Sequence, residues 1–255
     1  MGPGIDEKEL RRRAIDGVRD EVEAFGGGAS SSRLIRHDGL VAALTPASPR
    51  RSLFNSVFLD DPAVLAGEYE GLAQLYEDAG VEAWTVWVAD EDRASAELLA
   101  DRGHVLDAAP RAMAMELSEP PEVPDPPEGI EAGPCDAPTA AALNDRAYGY
   151  DENGFRAALA GETSIRWQGA YADGEPVSCI GAIEIGDDCC ITGVATPPGY
   201  RGRGIATWLL LRGLAEARAG GALTASLQAT RAGAPIYERL GFRDLGFIEM
   251  WELRR

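Results

Sequence analysis

Histidine and cysteine are scarce: 255 residues hold two His and four Cys. Cys135, Cys179, Cys189 and Cys190 show no CxxC spacing, and His37 and His104 are the only histidines that could join them. No zinc or other metal site is therefore expected. Adjacent Cys189 and Cys190 would point to opposite faces of a strand, and all four thiols read as reduced core or half-core residues. Basic residues are also short: 24 Lys and Arg against 42 Asp and Glu give a net charge of −18. Nucleic acid favours basic surfaces, so a nucleic-acid partner is disfavoured. Such acidity would steer in a cationic substrate such as an amine, although it also serves plain solubility. No apolar run is long enough to span a bilayer, so no membrane partner is expected. The opening MGPGIDEKELRRRAID is charged and lacks the apolar core of a secretory signal, which makes cytoplasmic residence the expectation.

Proline is abundant in one place. SEPPEVPDPPEG, Ser118 to Gly129, holds five prolines and four acids and forms neither helix nor central strand. It reads as a stiff linker, residues 118–129, between a first domain, 1–117, and a second, 130–255. The second piece reads as an α/β unit. Strands are expected at Ile130–Cys135, Ser164–Ala172, Val177–Ile185, Cys189–Thr196, Ala222–Thr230 and Phe242–Leu253. Helices are expected at Asp136–Tyr148, Asp151–Ala160, Gly204–Ala219 and Ala234–Leu240. The first piece has a related order: an N-terminal helix, strands at Gly39–Leu44 and Leu53–Leu59, a helix at Ala63–Ala79, a strand at Ala83–Ala89, a helix at Arg93–Arg102 and a strand at Val105–Leu117. Its last part, Ala96–Leu117, runs parallel to Pro235–Leu253. Gly103 matches Gly241, His104 matches Phe242, and Glu116-Leu117 match Glu252-Leu253, which points to a duplication.

The stretch with chemical content is TPPGYRGRGIATWLL, Thr196–Leu210, between a strand and an amphipathic helix. A helix N-terminus leaves several N–H groups unpartnered and carries partial positive charge. Gly202 and Gly204 let the backbone approach a ligand closely, and Arg201 and Arg203 add charge. The arrangement suits a phosphate or pyrophosphate. A P-loop is excluded because Ile205-Ala206 stand where Lys-Ser/Thr is needed, and a dinucleotide fingerprint is excluded because Thr207 replaces its third Gly.

This stretch resembles the GCN5-related N-acetyltransferase (GNAT) family, whose signature Arg/Gln-x-x-Gly-x-Gly/Ala is matched by Arg201-Gly202-Arg203-Gly204-Ile205-Ala206. A second hallmark, a short Tyr-bearing helix followed by Gly-Phe at the last strand, is matched by IYERLGF, Ile236–Phe242. Thr230 stands where the family often has an Asn that contacts CoA. The resemblance implies two GNAT-like mixed-sheet domains, strands flanked by helices, the first degenerate. It also implies transfer of an acetyl group, or a longer acyl, from acetyl-CoA to a primary amine of a small molecule or peptide. The CoA pyrophosphate would sit on the N–H groups of Arg201 through Ala206, with Thr207 offering a hydroxyl. The pantetheine would lie along Val194, Ala195 and Thr196 like an added strand. A backbone N–H near Val194 would stabilise the oxyanion, and Tyr237 would protonate the departing thiolate. Glu184 is one candidate for the general base, while Asp187 and Asp188 read as turn residues. A CoA-binding or sensing module without chemistry would use the same loop, and only a need for the Tyr237 phenol separates it from an enzyme. Oligomeric state is left open. In the first domain the corresponding loop, FLDDPAVLAG (Phe58–Gly67), has no Gly pair, places Asp60 and Asp61 where the pyrophosphate would lie, and Leu99 replaces the Tyr.

Overall fold

The computed structural model describes residues 4–150, 154–161 and 163–255. The first half runs α1 (Glu7–Gly26), β1 (Arg33–His37), β2 (Leu40–Leu44), β3 (Ser56–Leu59), α2 (Leu65–Asp78), β4 (Ala83–Ala89), α3 (Arg93–Asp101), β5 (Val105–Ala108) and β6 (Arg111–Glu116). The second half runs β7 (Glu131–Pro134), α4 (Ala137–Tyr148), α5 (Gly154–Ala158), β8 (Arg166–Ala172), β9 (Glu175–Ile185), β10 (Asp188–Ala195), α6 (Ile205–Ala219), β11 (Thr224–Ala229), α7 (Ala234–Arg239) and β12 (Arg243–Arg254). The expected α/β character and mixed sheets flanked by helices are present in both halves. Strand β1 was not foreseen, and Ala109-Pro110 divide the expected strand Val105–Leu117 into β5 and β6. Residues 151–153 of the expected helix Asp151–Ala160 lie outside the described residues.

The strand order is β1-β2-β3-β4-β12-β6-β11-β10-β9-β8-β7, with β5 beside β12. The last strand of each half therefore completes the sheet of the other. Strand β6 pairs antiparallel with β11 from Glu116↔Thr224 to Arg111↔Ala229. Strand β12 pairs antiparallel with β4 from Ala89↔Ile248 to Ala83↔Arg254. Its first residues still pair with β6, and the register shifts between Asp244 and Phe247. Gly246, at φ 102°, lies in that shift; only glycine takes such a conformation without strain. There β12 leaves one sheet for the other. Segment 118–129 carries the chain from β6 to β7, five strand positions away, about 24 Å at the usual strand spacing.

Helix α1 belongs to neither half alone. Asp6 caps its start by accepting from the Glu9 N–H at 2.8 Å. Its apolar face, Leu10, Ala14, Val18, Val22 and Phe25, is buried against strands of both sheets. It passes so close to β10 that a Cβ at Gly17 would lie 2.7 Å from Cys190 Sγ. Arg13 donates to Asp187 at 2.7 Å and to the Thr224 hydroxyl at 2.8 Å. Asp188 departs from its reading as a turn residue: it opens β10, is buried, and accepts from Ser226 at 2.6 Å and from Thr224.

Helices α1 and α4 cover one face of the second sheet, sharing a core with Cys179 and Cys190. Helices α6 and α7 cover the other, packing on Cys189, Ile191 and Leu227. The neighbouring cysteines thus enter opposite cores. The repeat is visible at the α3–β5 and α7–β12 junctions: Gly103 (φ 88°) and Gly241 (φ 98°) precede His104 and Phe242, each 3% exposed. Among the described residues no helix is long and apolar enough to cross a membrane, and no cluster of three or more His, Cys, Asp or Glu is placed to hold a metal.

Candidate active site

Strands β10 and β11 run parallel and pair from Asp188↔Thr224 to Ile191↔Leu227, where the pairing ends. On its other side β10 keeps register with β9 through Thr192↔Gly181 and regains it at Ala195↔Cys179, so Gly193 and Val194 form a bulge. Glycine is needed at 193 twice over: its φ is 56°, and a Cβ would lie 2.5 Å from the Trp167 ring. The bulge bends β10 away from β11. Beyond Ile191 the β10 edge facing β11 is therefore open. Across the bulge, the Tyr148 hydroxyl donates to the Val194 carbonyl at 3.1 Å. The Ser178 hydroxyl donates to the Ala195 carbonyl at 3.1 Å and lies 2.8 Å from the Thr196 hydroxyl.

The chain then turns through Pro198–Tyr200 into α6. Gly202 and Gly204 both have φ 75°, and a Cβ on either would meet nothing within 4 Å. Backbone conformation, with open space above it, is what calls for glycine here. The Arg201 N–H is used by the Pro198 carbonyl at 3.3 Å. The N–H groups of Gly202, Arg203 and Gly204 have no hydrogen-bond acceptor among the described residues. Helical bonding begins with Trp208 N–H to Gly204 O at 2.9 Å, which leaves Ile205, Ala206 and Thr207 without intrahelical acceptors. The free N–H set is thus Gly202–Thr207, one residue later than expected. The side chain of Ile205 is buried in the core, as expected for that position.

The two arginines brace this loop. Arg201 donates through Nε to Thr196 O at 2.9 Å and through Nη2 to Ala147 O in the last turn of α4. Arg203 reaches Glu128 O at 3.4 Å and lies 5.6 Å over the Tyr200 ring. Their charge adds to the field of the α6 N-terminus, but neither guanidinium stands free above the loop.

Tyr237 is half-buried on α7, edge-to-face with Phe242 at 5.8 Å. Burial, with a smaller contribution from nearby Tyr148, pushes its phenol up to about 12. Its hydroxyl has no hydrogen-bond partner among the described residues. Thr230 lies in the turn before α7, where its hydroxyl accepts from the Gly233 N–H at 3.1 Å.

A model of the acetyltransferase (GNAT) family matches residues 135–242. By that match the segment is similar to GNAT acetyltransferases. The strand splay, the loop ahead of α6 and the Tyr237 helix all fall within it. Solved structures share the fold over the whole chain. A GCN5-related N-acetyltransferase from Kribbella flavida superposes with a TM-score of 0.68 at 19% identity, covering 94% of this chain and 95% of that one. One from Sphaerobacter thermophilus gives 0.62 at 20% identity, covering 94% and 93%. A tandem GNAT protein from the clavulanic acid biosynthesis pathway gives 0.58 at 14% identity, covering 98% and 96%. No curated protein matches the sequence.

In the first half the order of elements is related, but the loop ahead of its helix is built differently. Asp61 accepts from the Ala63 N–H at 3.0 Å and caps the turn that leads into α2. Asp60 pairs with Arg19 at 3.0 Å. Leu99, in the place of the Tyr, is fully buried.

Two residues beside the β10 bulge escaped the sequence reading. Tyr148 ends α4 and reaches Val194. Glu21 lies on α1 and receives the Thr192 hydroxyl beside the bulge. Glu21 was detectable as a charge inside an apolar stripe, between Val18 and Phe25. Glu184, the earlier candidate base, is not at the site. Its side chain is 73% exposed, it lies 3.7 Å from Arg166, and it pairs with Cys189 near the far end of β10 from the bulge.

Gly204→Val should weaken acetyl-CoA binding about tenfold or more in a folded protein. A β-branched residue at positive φ costs at least about 1–2 kcal/mol, and relief of that strain would turn the cluster of N–H groups away. Calorimetric titration with acetyl-CoA checks this; unchanged affinity in a folded variant would show that this loop does not hold the pyrophosphate.

Proposed function

We propose that this acetyltransferase moves the acetyl group of acetyl-CoA onto a primary amine, by direct attack in the opening between β10 and β11. The observation that supports this most is the parting of the two strands at the Gly193-Val194 bulge with the free N–H groups of the α6 N-terminus beside it. The GNAT family uses acetyl-CoA as donor. Gly202 to Thr207 offer the pyrophosphate six backbone N–H groups and the positive end of α6, and the Thr207 hydroxyl is a further donor. The unpaired edge of β10, from Val194 to Thr196, offers the pantetheine a strand partner. A backbone N–H at the bulge would steady the oxyanion.

In this reading the neutral amine attacks the thioester carbonyl, a C–N bond forms, and the C–S bond breaks as electrons pass to sulphur. The Tyr237 phenol hydrogen-bonds to that sulphur. An ammonium acceptor loses two protons: one ends on the CoA thiol and one reaches solvent. The acceptor class is a small-molecule or peptide amine, drawn in by the acidic protein. A panel of amines incubated with acetyl-CoA, followed by free thiol release and mass spectrometry of products, tests the reading. Binding of acetyl-CoA with no transfer to any amine would favour a CoA-binding or sensing module.

The whole chain should bind one equivalent of acetyl-CoA. In the first half Asp61 already caps the turn that leads into α2 and Asp60 adds a second negative charge there, so phosphate would be repelled. A calorimetric stoichiometry of two would show that the first half keeps a working site.

A further inference from the structure

We propose that Glu21, carried on α1 of the first half, is the catalytic base that takes the proton from the acceptor ammonium in the site of the second half. This rests on the acetyl-transfer reading above. It supplies a base, which the second half's own sequence left open.

The argument begins with the two faces of the opening. The phosphate loop and Tyr237 lie on the face covered by α6 and α7. A pantetheine arm that enters there fills that side, so the amine must arrive from the face of α1 and α4. Side chains alternate along β10. Ile191 points into the α6 core, whereas Cys190 lies under Gly17 and Thr192 bonds Glu21. The Glu21 carboxyl is therefore on the amine side, held by the residue that precedes the Gly193-Val194 bulge. The residue is buried, 9% exposed, and the nearest opening in the sheet is the one beside the bulge.

The other candidates on this face are committed elsewhere. Asp188 accepts from Ser226 and Thr224. Asp145 accepts from the Phe155 N–H at 3.0 Å, and its other oxygen is sealed from solvent. The second half holds no histidine. His104 is tied to Trp251 O and the Tyr69 hydroxyl, and His37 lies on the outside of the first half. The titratable groups that face Glu21 are the Cys190 thiol on β10 and the Tyr148 phenol at the end of α4, both held protonated by burial. Asp188 lies farther along β10 and, like Glu21, acts on the Cys190 thiol. Burial raises the Glu21 carboxyl to about 7, and the Thr192 hydroxyl pulls it the other way. A carboxylate near neutrality suits a general base. The step balances: Glu21 takes one ammonium proton and becomes the acid, and the freed lone pair forms the C–N bond. After the thiol leaves, Glu21 returns its proton to solvent.

The test uses the full chain and an amine found by the panel. In the wild type kcat/KM should rise about tenfold per pH unit below about 7 and level off above it. Glu21→Gln should lose that limb and fall about 10²–10⁴-fold, with acetyl-CoA affinity unchanged by calorimetry. Thr192→Val should move the limb to higher pH, because the hydroxyl that lowers the carboxyl is gone. A purely structural Glu21 would not shift the limb in this way.

A readout independent of turnover is the thermal midpoint. The folded carboxyl is raised above its unfolded value, so between about 4.5 and 7 the folded state binds more protons. Stability from this group is therefore present at low pH and lost as pH rises through that window. Relative to Glu21→Gln, the wild-type midpoint should fall between pH 5 and 8. An active wild type whose profile survives Glu21→Gln, or whose midpoint runs parallel to that of Glu21→Gln, overturns the role of Glu21 alone. A wild type that binds acetyl-CoA and acetylates no amine overturns the transfer reading and this one with it.

Discussion

Tyr237→Phe should lower kcat about 10²–10⁴-fold and leave KM for acetyl-CoA nearly unchanged. The substitution keeps the ring and its edge-to-face contact with Phe242, so packing on α7 should hold. What is removed is one O–H, which the proposed reading puts beside the sulphur that must leave. Burial holds that phenol at about 12, well above an ordinary thiol at about 8.5. Complete transfer of the phenol proton to a thiolate is therefore uphill. In the proposed reading the hydroxyl acts by a hydrogen bond that strengthens as charge builds on sulphur, while the amine nitrogen supplies the proton that finally stays there. Such a bond exists in the transition state far more than in the bound thioester, so its loss appears in kcat. Tyr148 is poorly placed to substitute, because its hydroxyl already donates to Val194 O. Steady-state kinetics with an active amine decides the matter. Unchanged turnover would make Tyr237 a packing residue and remove the phenol from the mechanism.

What was legible in the sequence was short-range. The α6 loop needs two glycines at positive φ and a helix directly after, and both requirements are written within six residues. The duplication showed for the same reason, since Gly103-His104 and Gly241-Phe242 repeat a helix end and a strand start. What was hidden depends on residues far apart. Alternation marks β6 and β12 as strands but carries no label for the partner, so their exchange between sheets could not be read. The charge of Arg201 was visible; its direction, toward Ala147 O, depends on where α4 ends in space. Glu184 looked suitable because its strand leads toward the site, but register sets it near the wrong end of β10. Glu21 stood in plain view as a carboxylate in an apolar stripe, yet its target, Thr192, is 171 residues away.

Cutting the chain inside segment 118–129 and separating the pieces should leave neither one stably folded. Residues 1–117 would lose β12 and expose the β4 edge from Ala83 to Ala89. Residues 118–255 would lose β6, which lies between β11 and β12, together with α1. That removes Leu10, Val18, Val22, Met113 and Leu117, all at most 1% exposed, from the shared cores. Each buried side chain of this size contributes about 1.5–3 kcal/mol, so five account for about 8–15 kcal/mol. A typical domain has about 5–15 kcal/mol of net stability, and the exposed strand edges add an aggregation hazard. Residues 118–255 keep Tyr237, the α6 loop and the bulge, but without α1 the Glu21 carboxyl is gone and Thr192 is uncovered. Nicking the segment without separating the pieces should do little, because it forms no helix or strand and only spans from β6 to β7. Circular dichroism melts and acetyl-CoA titration of each piece, of the two mixed, and of the nicked chain would check this. The separated pieces should show no cooperative melt, and the nicked or reassembled protein should melt cooperatively and bind one equivalent. A separated 118–255 that melts cooperatively and binds acetyl-CoA would show that the strand exchange is dispensable and that the second half is a domain in its own right.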